Sequence, residues 1–94
     1  MPDQEMKNYM EPCVNNMLVP ILKGINSCTC EKCKLDIMAI ALNSLPPKYI
    51  VTTKGQLFTK VSALQQQFDV DIIAAITKAA VIVSRAPRHE KEDE

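Results

Sequence analysis

The sequence predicts a mainly α fold: a compact single domain of about four helices with a short β-ribbon insert. Three observations point there. Apolar residues recur at spacings of three and four over long stretches, which is the pattern of helices that bury one face. The core material is aliphatic, because 47% of the 94 residues are hydrophobic while Tyr9, Tyr49, Phe58 and Phe68 are the whole aromatic complement. Two adjacent prolines, Pro46 and Pro47, break the apolar pattern just ahead of a β-branched run.

The first helix is expected over residues 6–25. Met6, Met10, Cys13, Met17, Ile21 and Ile25 form a stripe, with Val14, Leu18 and Leu22 beside it. Pro12 suits a first turn with Glu11 as cap, Pro20 should bend the helix, and Gly24 with Asn26-Ser27 should end it. A second helix, capped by Thr29, is expected over residues 29–44. It is apolar nearly all round, as befits a central element against which the rest packs.

Residues 49–60 read as the β-ribbon. Tyr49-Ile50-Val51-Thr52-Thr53 forms one strand, Lys54-Gly55 the turn, and residues 56–60 the second strand. Ser62 with Gln65 three residues on suggests a capping box for a short helix over 62–67. Asp69 can cap a last helix over 69–84, and residues 88–94 read as an acidic flexible tail. The last helix carries apolar side chains on more than one face. One neighbour cannot cover them all, so a homodimer through this helix is the economical expectation.

A net charge of zero argues against a general grip on nucleic acid or anionic lipid. There is no apolar leader-like run after the first residues, and no stretch reaches membrane-spanning length, so the expected location is the cytoplasm, without direct membrane insertion. In that reducing setting, clustered thiols are more often metal ligands than disulfides.

Cys28, Cys30 and Cys33 stand in C-x-C-x-x-C spacing at the mouth of the second helix. Thiolates there gain from the positive helix end and can point at a common centre. Zinc favours four soft ligands in a tetrahedron, and a closed set is structural rather than catalytic. The fourth ligand is open among His89, Cys13 and a group from a partner chain, and the preferred set is Cys28, Cys30, Cys33 and His89. About 16 Å of helix carries Cys13 away from the knuckle, so a buried core thiol suits it better. Cys30-x-x-Cys33 also has the spacing of a dithiol oxidoreductase. The third thiol and the absence of a βαβ pattern argue against that. With one His, no Gly-rich phosphate loop and no nucleophile–base pair, an enzyme is not expected.

A second candidate region lies between Asp36 and Asp69, where the only charged side chains are lysines. Lys48, Lys54 and Lys60 can face a phosphate, Tyr49 can stack on a base, and Asn43 borders them. In a dimer, two copies of the segment could frame a symmetric ligand such as a cyclic dinucleotide. The structural alternative has Asn43 capping a helix, Tyr49 in the core and the lysines keeping the ribbon soluble. The absence of Arg from the segment favours that alternative.

Several runs together resemble the late-competence family ComFB. They are Cys28-Thr29-Cys30-Glu31-Lys32-Cys33, Asp36-Ile37, and Ala39 through Tyr49 (ALNSLPPKY with its preceding AI). Asn8-Tyr9-Met10-Glu11, Thr53-Lys54-Gly55 and Ala86-Pro87-Arg88-His89 extend the likeness over nearly the whole chain. The resemblance implies a compact helical homodimer carrying zinc on the knuckle cysteines, a role in DNA-uptake competence, and no established catalysis. The expected function is therefore a non-enzymatic adaptor or regulator of the late-competence type, with an unidentified protein partner. Members of the wider family look like cyclic dinucleotide receptors, which makes that the alternative function.

Overall fold

The computed structural model describes residues 4–85, arranged as four helices and a two-stranded antiparallel sheet. The elements are β1 (Gln4–Asn8), α1 (Met10–Gly24), α2 (Glu31–Ser44), β2 (Tyr49–Thr53), α3 (Lys54–Gln67) and α4 (Asp69–Arg85). No described helix is long and apolar enough to cross a membrane.

The ribbon is real, but its partner strand is not the expected one. β2 pairs with β1 at the start of the chain, in a register that sets Gln4 against Thr53 and Asn8 against Tyr49. Residues 4–8 are therefore a strand rather than the opening of a helix, and Met6 is 66% exposed on the ribbon instead of facing the core. Residues 56–60 are helical, because α3 starts directly after β2. Thr53 and Gln56 form the capping box of α3, with Gln56 Oε1 accepting from the Thr53 amide at 3.2 Å. The box expected at Ser62 and Gln65 is absent, since those residues lie inside the same helix.

Asn8 fixes the junction between sheet and helix. Its Oδ1 accepts from the amides of Met10 (3.1 Å) and Lys48 (2.8 Å), while the Tyr9 amide donates to the Lys48 carbonyl at 2.8 Å. Tyr9, not Glu11, stands at the helix cap, and Pro12 lies in the first turn, where its missing donor costs nothing. α1 continues through Pro20 at the loss of the bond to the Asn16 carbonyl. At its end the left-handed residue is Asn26 (φ 59°) rather than Gly24, and the Ser27 amide returns to the Leu22 carbonyl at 2.9 Å.

α4 is the central helix, not α2. It buries Ile72, Ala75, Ile76, Ala79, Ala80 and Val83 against α1 and α2, and α3 touches it as well. α2 buries only Cys33, Ile37 and Ala41 within its span; Leu35 is exposed and Met38, Ile40 and Leu42 are half-buried. The small side chains of α4 allow its neighbours to approach closely, which the apolar count of α2 did not reveal. Leu45 ends α2 in extended geometry (φ −100°, ψ 139°), as the following Pro46 demands.

Candidate metal centre

The knuckle is assembled by two local devices. The Asn26 turn reverses the chain after α1, and Cys30 then starts α2 in extended geometry (φ −67°, ψ 158°). The cap is Cys30 rather than Thr29: its Sγ accepts from the Cys33 amide at 3.4 Å, and its carbonyl accepts from Lys34 at 2.9 Å. A sulfur at this position takes the place of the usual hydroxyl oxygen, so propensity favoured the neighbouring threonine. Cys30 thus lies against the first turn of α2 with Cys33 one turn on.

The sulfurs of Cys28, Cys30 and Cys33 all lie within 4.8 Å of one another. Zinc–sulfur bonds of about 2.3 Å in a tetrahedron require sulfurs about 3.8 Å apart, so a small contraction would close the set on one ion. The three differ in depth. Cys28 is exposed, Cys30 is half-buried, and Cys33 is 2% exposed within the core beside Ile37 and Ala41. Burial pushes the Cys33 thiol up to about 12, and its hydrogen bonds with Cys28 and Cys30 and their charges push it the same way. Without a cation, sulfurs this crowded resist ionising together. A divalent ion reverses that balance, and the donor set fits one.

Cys13 stands outside this group. It is buried in α1, and its Sγ donates to the Val61 carbonyl of α3 at 3.6 Å; burial raises its thiol as well. That agrees with a core thiol. His89 lies outside the described residues.

The second set of sequence candidates is spread over several elements. Asn43 is exposed in the last turn of α2, and Lys48, just ahead of β2, holds its Nζ 4.8 Å from the centre of the Phe68 ring. Tyr49 is 65% exposed on β2, not in the core, because its register partner Asn8 places both on the outward side of the ribbon with Met6 and Val51. Lys54 and Lys60 are exposed on α3, where six residues of helix set them about 9 Å apart along the axis and about 120° apart around it.

The buried aromatic is Tyr9, to which no local pattern in the sequence assigns a role. Its hydroxyl pairs with Thr52 Oγ1 at 2.7 Å and donates to Glu5 Oε1 at 3.2 Å, tying the inner side of the ribbon to α1. The available signal was Tyr9 directly after Asn8, a strand-to-helix junction.

Comparison with known proteins places these features in a family. The model of the late competence development protein ComFB family matches residues 7–87. Competence protein ComFB of Bacillus subtilis (strain 168) is 30% identical over 61 residues, which cover 65% of this chain and 62% of that protein. The chain thus spans under two thirds of that relative's length. A solved structure of the late competence protein ComFB from Bacillus subtilis matches with a TM-score of 0.71 at 25% identity, covering 88% of this chain and 92% of that one.

Proposed function

Because the chain belongs to the late competence development ComFB family, we propose that it is a non-enzymatic, zinc-binding adaptor or regulator of DNA-uptake competence. In this reading the zinc is structural, the protein works in the cytoplasm as a homodimer, and it acts through another protein. The observation that carries it is the three-sulfur group at the start of α2. A closed zinc knuckle there would tie the α1–α2 turn to the first turn of α2, and so to the core through Cys33.

His89 is the proposed fourth ligand. Ser84, in the last described turn of α4, lines one groove with Ile25, Asn26 and Ser27, directly ahead of Cys28. Three residues lie between Arg85 and His89, a span that reaches at most about 14 Å from the end of α4 towards the knuckle. The dimer reading is supported by α4, whose Val70, Ile73 and Val81 are exposed along one stripe.

Metal analysis of protein purified without chelator tests the centre. About one zinc per chain is expected, and a clearly lower content removes the reading. His89→Ala should weaken zinc retention against a competing chelator; unchanged retention would reassign the fourth ligand.

The exposure of Tyr49 favours a second reading, a cyclic dinucleotide receptor. The ring is available for stacking, with Lys48 beside it in sequence and Lys54 and Lys60 on the following helix. Titration calorimetry with cyclic dinucleotides separates the two: absence of heat at micromolar ligand leaves the adaptor alone.

A further inference from the structure

We propose that the knuckle is also a peroxide-responsive switch, in which a hydroperoxide joins two of its three sulfurs and expels the metal. The inference rests on the zinc reading above and adds regulation to that site. Three features carry it. The sulfurs of Cys28, Cys30 and Cys33 are within 4.8 Å of one another, so no large movement of the chain separates them from bonding distance. They are graded in access, with Cys28 exposed and Cys33 buried, so one sulfur can meet an oxidant while the others wait behind it. The group is wired into the fold, because Cys30 Sγ accepts the Cys33 amide at the first turn of α2 and Cys33 packs in the core.

The chemistry balances without a further reactant. The Cys28 thiolate attacks one oxygen of hydrogen peroxide, the O–O bond breaks, and the departing oxygen leaves as water after taking a proton. Cys28 is then a sulfenic acid. A second knuckle thiol attacks that sulfur, the S–O bond breaks, and the oxygen departs as a second water. Two thiols have lost two electrons and one peroxide has gained them. A disulfide sulfur is a poor ligand for zinc, so the ion leaves with the remaining donors unable to hold it. Loss of the ion and a new bond at Cys30 or Cys33 would loosen the start of α2, which packs on α1 and α4.

Cys13 provides an internal control, since its sulfur is buried against the Val61 carbonyl and outside the cluster. The experiment uses the full chain, loaded with zinc and freed of excess, and exposed to hydrogen peroxide. Zinc release is followed with a chromophoric chelator, thiols are counted by alkylation, and peptide mapping locates any bond. Zinc content before peroxide is read first, and its absence there overturns the zinc reading itself. With zinc bound, the expected result is release together with one bond inside residues 28–33, and Cys13 still alkylated after unfolding. Dimedone should label Cys28 ahead of Cys30 and Cys33, and dithiothreitol with added zinc should restore the melting temperature. Retention of zinc with three reduced knuckle thiols overturns the proposal, as does oxidation to sulfinic or sulfonic acids without a bond. Cys13→Ser should respond like the natural chain; loss of the response in that variant also overturns it.

Discussion

Single side chains decide two properties of this domain. Tyr9 is fully buried, yet its hydroxyl is satisfied by Thr52, itself 1% exposed, and by Glu5. Tyr9→Phe keeps the ring and strands Thr52 Oγ1 beneath the ribbon, which should cost about 1–3 kcal/mol, read from urea unfolding monitored by circular dichroism. Cys33 governs the pH response. Without metal its thiol is raised from 9.0 to about 12, while in the unfolded chain it titrates near its ordinary value. The folded state therefore holds a proton that the unfolded state gives up above about pH 9. Stability of chelated protein should be insensitive to this group below that pH and decline as pH climbs towards 12. Zinc reverses the sign at lower pH. Protons compete with the ion for each sulfur, so affinity should rise by up to about tenfold per pH unit for each thiol that binds protonated. Zinc-loaded protein should gain stability from about pH 6 to about pH 8, and a flat profile there would count against thiolate ligation.

At the scale of elements, α3 is the least anchored helix. It contributes no fully buried residue within its span, Phe58 on it is 81% exposed, and only Leu57, Val61, Leu64 and Gln65 are half-covered. Its start should therefore depend on the capping box more than on packing. Gln56→Ala together with Thr53→Ala should cost about 1–2 kcal/mol and lower helicity at 222 nm; an unchanged unfolding midpoint would show that packing alone sets α3. The same box explains what was legible. The knuckle, the Pro-terminated α2, the strand at Tyr49 and the extent of α4 all follow from local chemistry in the sequence, although Asp69 is the first residue of α4 rather than its cap and its carboxylate accepts from the neighbouring Val70 amide. The strand partner did not, because pairing β2 with residues 4–8 is a contact across more than forty residues and no local rule points to it. Lys54-Gly55 reads as a turn only until Gln56 is seen to reach back to Thr53. Two T/S-x-x-Q patterns lay nine residues apart, and pattern alone could not choose between them. The candidate site was legible for a related reason. Cys28, Cys30 and Cys33 are close in sequence, whereas His89 lies at the far end of the chain, where spacing carries no information.

For the whole molecule, the uncovered apolar side chains set the open question of assembly. α4 turns its small residues inward, yet Val70, Ile73 and Val81 follow one another at helical spacing on its outer side, with Ile82 and Ile40 along the adjoining groove between α2 and α4. If two copies meet there about a two-fold axis, each substituted position acts twice. Val81 is 43% exposed, so a dimer can bury less than half of the about 1.5–3 kcal/mol of a whole valine in each copy, and with two copies Val81→Lys should weaken association by at least about tenfold. Because Val81 is exposed in the single chain, the variant should keep its helicity and its zinc. Light scattering after size exclusion should then report twice the chain mass for the natural protein and the single-chain mass for Val81→Lys. A variant that stays dimeric would move the interface elsewhere, with the outward side of the ribbon at Met6, Tyr49 and Val51 as the next apolar surface to test. A natural protein that is monomeric at high concentration would remove the dimer altogether.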